Sequence, residues 1–166
     1  VGWFLGGMFG DELRSGHEQS EGAFGGYRVG YDFDHYFGTE FRFGWAVLEI
    51  VDDAPQYTES QNWLADLNLM YYPWGDTRWR PYASLGLGLA EFDFIDSDGR
   101  PVDELLVGLP VGVGVKYLCV NWAAVRMELH NNIVVGNGSV NWMDNISLTA
   151  GMELRFGGRS TSYFPW

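Results

Sequence analysis

Residues 36–50, YFGTEFRFGWAVLEI, decide the fold. One parity of that stretch carries Phe41, Phe43, Trp45 and Val47, and the other carries Glu40, Arg42, Gly44 and Ala46. Successive side chains on an extended strand point to opposite faces, so this period of two makes one face oily and the other small or charged. A helix, repeating every 3.6 residues, would mix the two sets.

The same split recurs along the chain in segments of about ten residues, the length a tilted strand needs to cross a bilayer. Over 23–33, Tyr27, Val29 and Tyr31 oppose Gly26, Arg28 and Gly30. Over 63–72, Leu67, Leu69 and Tyr71 oppose Asp66 and Asn68; over 82–90, Leu85, Leu87 and Leu89 oppose Ser84, Gly86 and Gly88. Over 105–117, Val107, Leu109, Val111, Val113 and Val115 oppose Gly108, Gly112, Gly114 and Lys116. The segments 122–135 and 146–156 behave alike, setting Ala123, Val125, Met127 and Leu129 against Arg126, Glu128 and His130, then Leu148, Ala150, Met152 and Leu154 against Thr149, Gly151, Glu153 and Arg155. Residues 1–9 make an eighth segment whose facing is open, because both parities are apolar. The predicted fold is all-β: eight antiparallel strands in up-and-down order, closed into a barrel.

At 166 residues there is room for one domain, and 17% aromatic residues with 23 glycines do not suit disorder. No run of about 18 apolar residues exists, which excludes a transmembrane helix but not a barrel, whose alternating strands escape a hydropathy window. Cys119 is the only cysteine, so neither an internal disulfide nor a cysteine zinc site can form; it is expected as a small buried apolar residue.

Alternation would also suit a soluble barrel with an oily interior, so the polar face has to decide. It is mostly glycine, serine and threonine with isolated charges, which fits the narrow interior of an eight-stranded barrel better than a solvated exterior. The apolar face is therefore expected to meet hydrocarbon. The interior is expected to hold an ionic network of Arg28, Arg42, Lys116, Arg126 and Arg155 with Glu40, Asp66, Glu128 and Glu153, a plug that holds the barrel shut. A tight turn centred near Asp34 would set Arg28 across from Glu40. Aromatics near the segment ends, among them Tyr31, Tyr71, Trp74, Trp79, Tyr117, Trp122 and Phe156 at one end and Trp45, Trp63 and Trp142 at the other, read as two interfacial girdles. Pro110 lacks an N–H inside a strand and predicts a bulge or local widening.

Connections are short near Asp34, over 73–79 and near Asn121, and long over 10–22, 51–62, 95–104 and 136–144. Short turns on the periplasmic side and long external loops are the usual asymmetry, so both termini are expected in the periplasm. Most of the 22 acids behind the net charge of -12 fall in or beside the long connections, Glu59, Asp103 and Glu104 among them. Such a surface repels nucleic acid. Asp93, Asp96 and Asp98 before Gly99 are weak metal candidates whose spacing misses the EF-hand pattern; no cofactor is implied.

The runs GGYRVGYDFDHYFGTEFRFGWA (25–46), PYASLGLGLAEFDF (81–94), GLPVGVGVKY (108–117) and LTAGMELRFGG (148–158) resemble the OmpA-like and OmpX-like outer-membrane barrel domains. The resemblance covers nearly all of the chain. It implies a barrel over 1–158 in the bacterial outer membrane and a periplasmic tail over 159–166; no room is expected for a peptidoglycan-binding domain such as full-length OmpA proteins carry. It also implies contact with outer-membrane lipid and lipopolysaccharide, with an envelope protein partner and, during biogenesis, with the barrel-assembly machinery. The terminal signal for that machinery would comprise Gly151, Met152, Leu154 and Phe156, with Trp166 the alternative recognition aromatic.

Some barrels of this size are lipid A deacylases, which resemble a pattern with serine two residues after a lipid-facing histidine. Here that position is Asn132, and His130 has interior parity, so no nucleophile is in place. His17, His35 and His130 are too scattered for metal-ligand spacing. The expected function is a non-enzymatic structural or interaction barrel presenting acidic loops. Its rivals are a narrow ion-conducting pore, a lipid A-modifying enzyme and a soluble lipocalin-like binder.

Overall fold

A computed structural model of the protein describes residues 1–9, 18–19, 22–51, 58–95, 101–135 and 143–157. In chain order the strands are β1 (Gly2–Phe9), the two-residue β2 (Glu18–Gln19), β3 (Gly22–Asp32), β4 (Phe37–Val51), β5 (Thr58–Tyr71), β6 (Trp79–Ile95), β7 (Pro101–Val120), β8 (Ala123–Val135) and β9 (Met143–Leu154). The eight long strands pair antiparallel with their neighbours from β3 through β9, and β1 joins β9 to β3. The sheet thus closes on itself, and every strand of the cylinder has two neighbours. The short β2 adds only a two-residue ladder against Ile50 and Val51.

The alternation read from the sequence is the alternation of the wall. Val29, Phe41, Leu67, Leu87, Val113 and Met127 point outward and are exposed, Val113 at 56%. Their inward neighbours Arg28, Glu40, Asp66, Lys116, Arg126 and Glu128 are buried. The first segment also settles: Phe4 and Met8 point in, Trp3 and Leu5 out. Exposed Tyr31, Tyr71, Trp74, Trp79, Trp122 and Phe156 gather at the turn end, and Trp45 packs on Tyr27 and Phe43 nearer the loop end. Trp142 lies outside the described residues.

Three local expectations need correction, and a fourth, at Pro110, holds in part. Arg28 faces Arg42 rather than Glu40, because the β3–β4 connection closes one residue later, with Asp32 paired to Gly38. At Pro110 no bulge forms, since it pairs regularly with Asn132, but the expected local opening is there: the β6–β7 ladder lacks the pairs Gly86–Pro110 and Leu87–Leu109 and keeps the same register on both sides. The irregularity instead falls between Leu118 and Val120, where it turns Val120 outward. Cys119 is exposed rather than buried because it continues the outward row of Val111 and Val113, with Sγ 3.8 Å from the Tyr117 carbonyl. Lastly, β5, β6 and β7 extend through much of the predicted loops 51–62 and 95–104, pairing Glu49 with Glu59 and Asp93 with Asp103 along the backbone. A ladder needs hydrogen-bonding partners, not oily alternation, so its upper reaches carry no hydrophobic signal.

Candidate functional site

Among the described residues the interior is where charged and polar groups concentrate, and glycines make the room for them. A Cβ on Gly112 would lie 2.5 Å from Nε2 of His130; on Gly114 it would meet the Tyr82 hydroxyl at 2.3 Å. Gly86 likewise borders Asn68, and Gly88 borders Asp66. The glycine-rich face of β6 and β7 is thus a floor on which large polar side chains from β5 and β8 lie.

Three polar layers follow one another along the axis. At mid-barrel Arg42 donates from Nε and Nη2 to Asp66, at 2.9 and 2.7 Å to Oδ2, and from Nη2 to Asn132 Oδ1 at 2.7 Å. Asn68 also donates to Asp66. Below it, Glu128 accepts from Arg126 at 2.6 Å, from Tyr82 at 2.7 Å and from Thr149 at 3.0 Å, and pairs with Arg28 at 2.8 Å. Arg126 spans across to Glu40 at 2.5 Å, and Arg28 approaches the same carboxylate at 3.7 Å. Nearer the turn end, Lys116 joins Glu153 at 2.8 Å and the Tyr72 hydroxyl at 3.0 Å.

All nine residues of the sequence-predicted network therefore take part in ion pairs. Seven are buried, whereas Glu153 and Arg155 are half-buried at the mouth. Sequence reasoning missed Arg80, which is buried as deeply as most of them. It donates to Asp32 at 2.7 Å and to the carbonyls of Gly75 and His35, and its guanidinium sits 3.8 Å from the centre of the Tyr72 ring. With Arg155 and Asp76 it closes the turn end. The available signal was parity: Arg80, Tyr82, Ser84 and Gly86 continue one inward row, disguised by Pro81.

The loop end is sealed differently. Phe4, Met8, Phe24, Ala46, Leu64, Ala90, Leu106 and Val134 form a buried apolar layer inside the cylinder. Phe4 and Phe24 pack at 5.2 Å, with Arg28 over the Phe4 ring at 4.5 Å. Small residues at Gly26 and Gly44 receive these rings. The polar lumen thus has a greasy lid.

His130 is buried among these groups. Ser84 Oγ lies 3.5 Å from its Nε2 and Glu128 Oε2 lies 3.4 Å from the same nitrogen. A relay needs nucleophile and acid on opposite ring nitrogens at 2.6–3.2 Å, as general spacing goes (~3 Å). Here Glu128 is also committed to two arginines. Among the described residues no cluster of metal-ligating groups occurs; Asp93 has only its backbone described, and Asp96 and Asp98 lie outside the described residues. Of the assembly residues, Gly151 lies against the Trp3 carbonyl, where a Cβ would approach to 2.1 Å; Met152, Leu154 and Phe156 point outward, and Trp166 is outside the described residues.

A closed eight-stranded cylinder with an apolar outer belt and charges inside defines the outer-membrane barrel class. The chain belongs to the outer membrane protein beta-barrel domain family, whose model matches residues 2–156. Among solved structures it is similar to Neisserial surface protein A, at 16% identity and a TM-score of 0.64 over 93% of this chain and 97% of that one. It is similar to the outer membrane protein OprG from Pseudomonas aeruginosa, at 16% identity and a TM-score of 0.61 over 95% and 96%. The attachment invasion locus protein Ail of Yersinia pestis follows at 13% identity and a TM-score of 0.52, over 93% and 97%. No curated protein matches.

Proposed function

We propose that this chain is a non-enzymatic component of the bacterial outer membrane that stabilises the envelope and presents its acidic loops to a partner. The observation that carries the reading is the filled interior: each buried cation among the described residues has a carboxylate partner, and a layer of phenylalanine, leucine and methionine closes the loop end. Such an interior gives a substrate no access to a nucleophile and an ion no continuous wet path. The chain's work then falls to its outer surface. The orientation that accompanies this reading has the short turns and both termini in the periplasm, lipopolysaccharide around the loop end, and the alternating Met152, Leu154 and Phe156 read by the assembly machinery. Neither a cofactor nor nucleic acid has a part in it.

Crosslinking in native membranes, followed by capture of the tagged chain, tests the proposal. A reproducible envelope protein crosslinked through the loop segments is the expected result. Steady, sizeable conductance of the purified barrel in planar bilayers would overturn it in favour of a pore.

A further inference from the structure

Every described cation but one is spent inside the barrel or at its mouth. Arg28, Arg42, Arg80, Lys116, Arg126 and Arg155 all pair with carboxylates. Arg78 does not. It is exposed, directly precedes β6, and its guanidinium carbon sits 5.9 Å from the centre of the Tyr117 ring. Tyr117 in turn packs on Trp79, with ring centres 4.7 Å apart, and the two residues face each other across the β6–β7 ladder. Trp79 is among the outward aromatics of the turn end, which places this group at the headgroup level of one leaflet.

We propose that Arg78, Trp79 and Tyr117 form a binding site for the phosphate of an anionic phospholipid headgroup. The proposal rests on the membrane reading given above. The group carries three donors: the guanidinium, the indole N–H and the phenol O–H. A guanidinium presents a planar fork that matches phosphate oxygens, and a flanking aromatic face holds it by cation–π attraction. The segment is pre-ordered, because the Arg78 carbonyl accepts the Leu118 N–H at 2.9 Å and Thr77 Oγ1 donates to the Trp79 carbonyl. With a chain charge of -12, an anionic lipid has reason to avoid much of the protein, and Arg78 offers it a cation to dock on.

The test uses the whole chain in vesicles of phosphatidylcholine containing a minor share of spin-labelled phosphatidylglycerol or spin-labelled phosphatidylcholine. The immobilised lipid fraction at the protein is read for each label. The expected preference for the anionic label is about fivefold, the effect of one cation at a membrane surface. Arg78→Gln should reduce it to near unity, and Arg78→Lys should retain most of it. An unchanged preference in Arg78→Gln, with the same circular dichroism as the parent, overturns the site. So does release of the bound label by millimolar inorganic phosphate, which would assign the site to a free anion. A chain that stayed out of the vesicles would overturn the membrane reading and the site together.

Discussion

Arg28 and Arg42 stand directly opposite one another on β3 and β4, yet their guanidinium groups part company: Arg28 reaches Glu128 at 2.8 Å, while Arg42 turns to Asp66 at 2.7 Å. Like charges facing each other across a ladder repel, and only the carboxylates arriving from β5 and β8 make the pair tolerable. Because Glu40 serves both Arg28 and Arg126, Glu40→Ala should cost about 3 to 5 kcal/mol in a reversible unfolding titration in detergent. Asp144→Ala, at an exposed position, should cost far less. Equal losses would refute the interior role of Glu40.

Val113 faces outward at mid-strand, so Val113→Arg should destabilise the barrel by about 2 to 4 kcal/mol in lipid. The same titration in lipid vesicles measures it, and a change near zero would place that face in water.

Gly112 supports the His130 ring, and a methyl group there would collide with three of its atoms. Gly112→Ala is expected to cost about 1 to 3 kcal/mol, the usual penalty for overpacking. The double variant with His130→Ala should recover part of that loss; two strictly additive losses would mean that the two positions do not touch.

The β3–β4 turn carries a pH dependence. The Asp34 carboxylate accepts the N–H groups of Tyr36 and Phe37, both at 2.7 Å, and these bonds hold it below the usual aspartate range. A carboxyl group depressed in the folded state adds stability above its unfolded value of about 3.9, and that stability is lost as the pH falls through the lower folded value. Asp34→Asn should therefore lower stability at pH 7 and leave it nearly unchanged well below pH 3, on the order of that value. Parallel curves across the whole range would exclude the turn as the source.

Much of the interior was readable before any coordinates. Glu40, Arg42, Asp66, Arg126 and Glu128 betray their facing because each sits one residue from an oily neighbour on a period-two strand, and parity admits only two answers. Arg80 escaped because Pro81 and the preceding turn residues hide where β6 begins. The greasy lid escaped for another reason: Phe24 and Leu64 are apolar on a face read as polar, and Phe4 belongs to the segment whose two parities are both apolar, so alternation could not single out any of the three as pointing inward. Cys119 was misplaced because it was read from its residue type alone, whereas its parity sets it on the outward row of Val111 and Val113.

What the sequence determined by itself is which side of the wall most residues occupy, since the geometry of a strand ties facing to parity within a single segment. The tertiary structure alone decided who meets whom: Arg126 with Glu40, 86 positions apart, and Arg80 with Asp32, 48 apart. Such pairs depend on turn length, register and closure of the cylinder, and a shift of one residue in any turn would redirect them while leaving every local pattern intact.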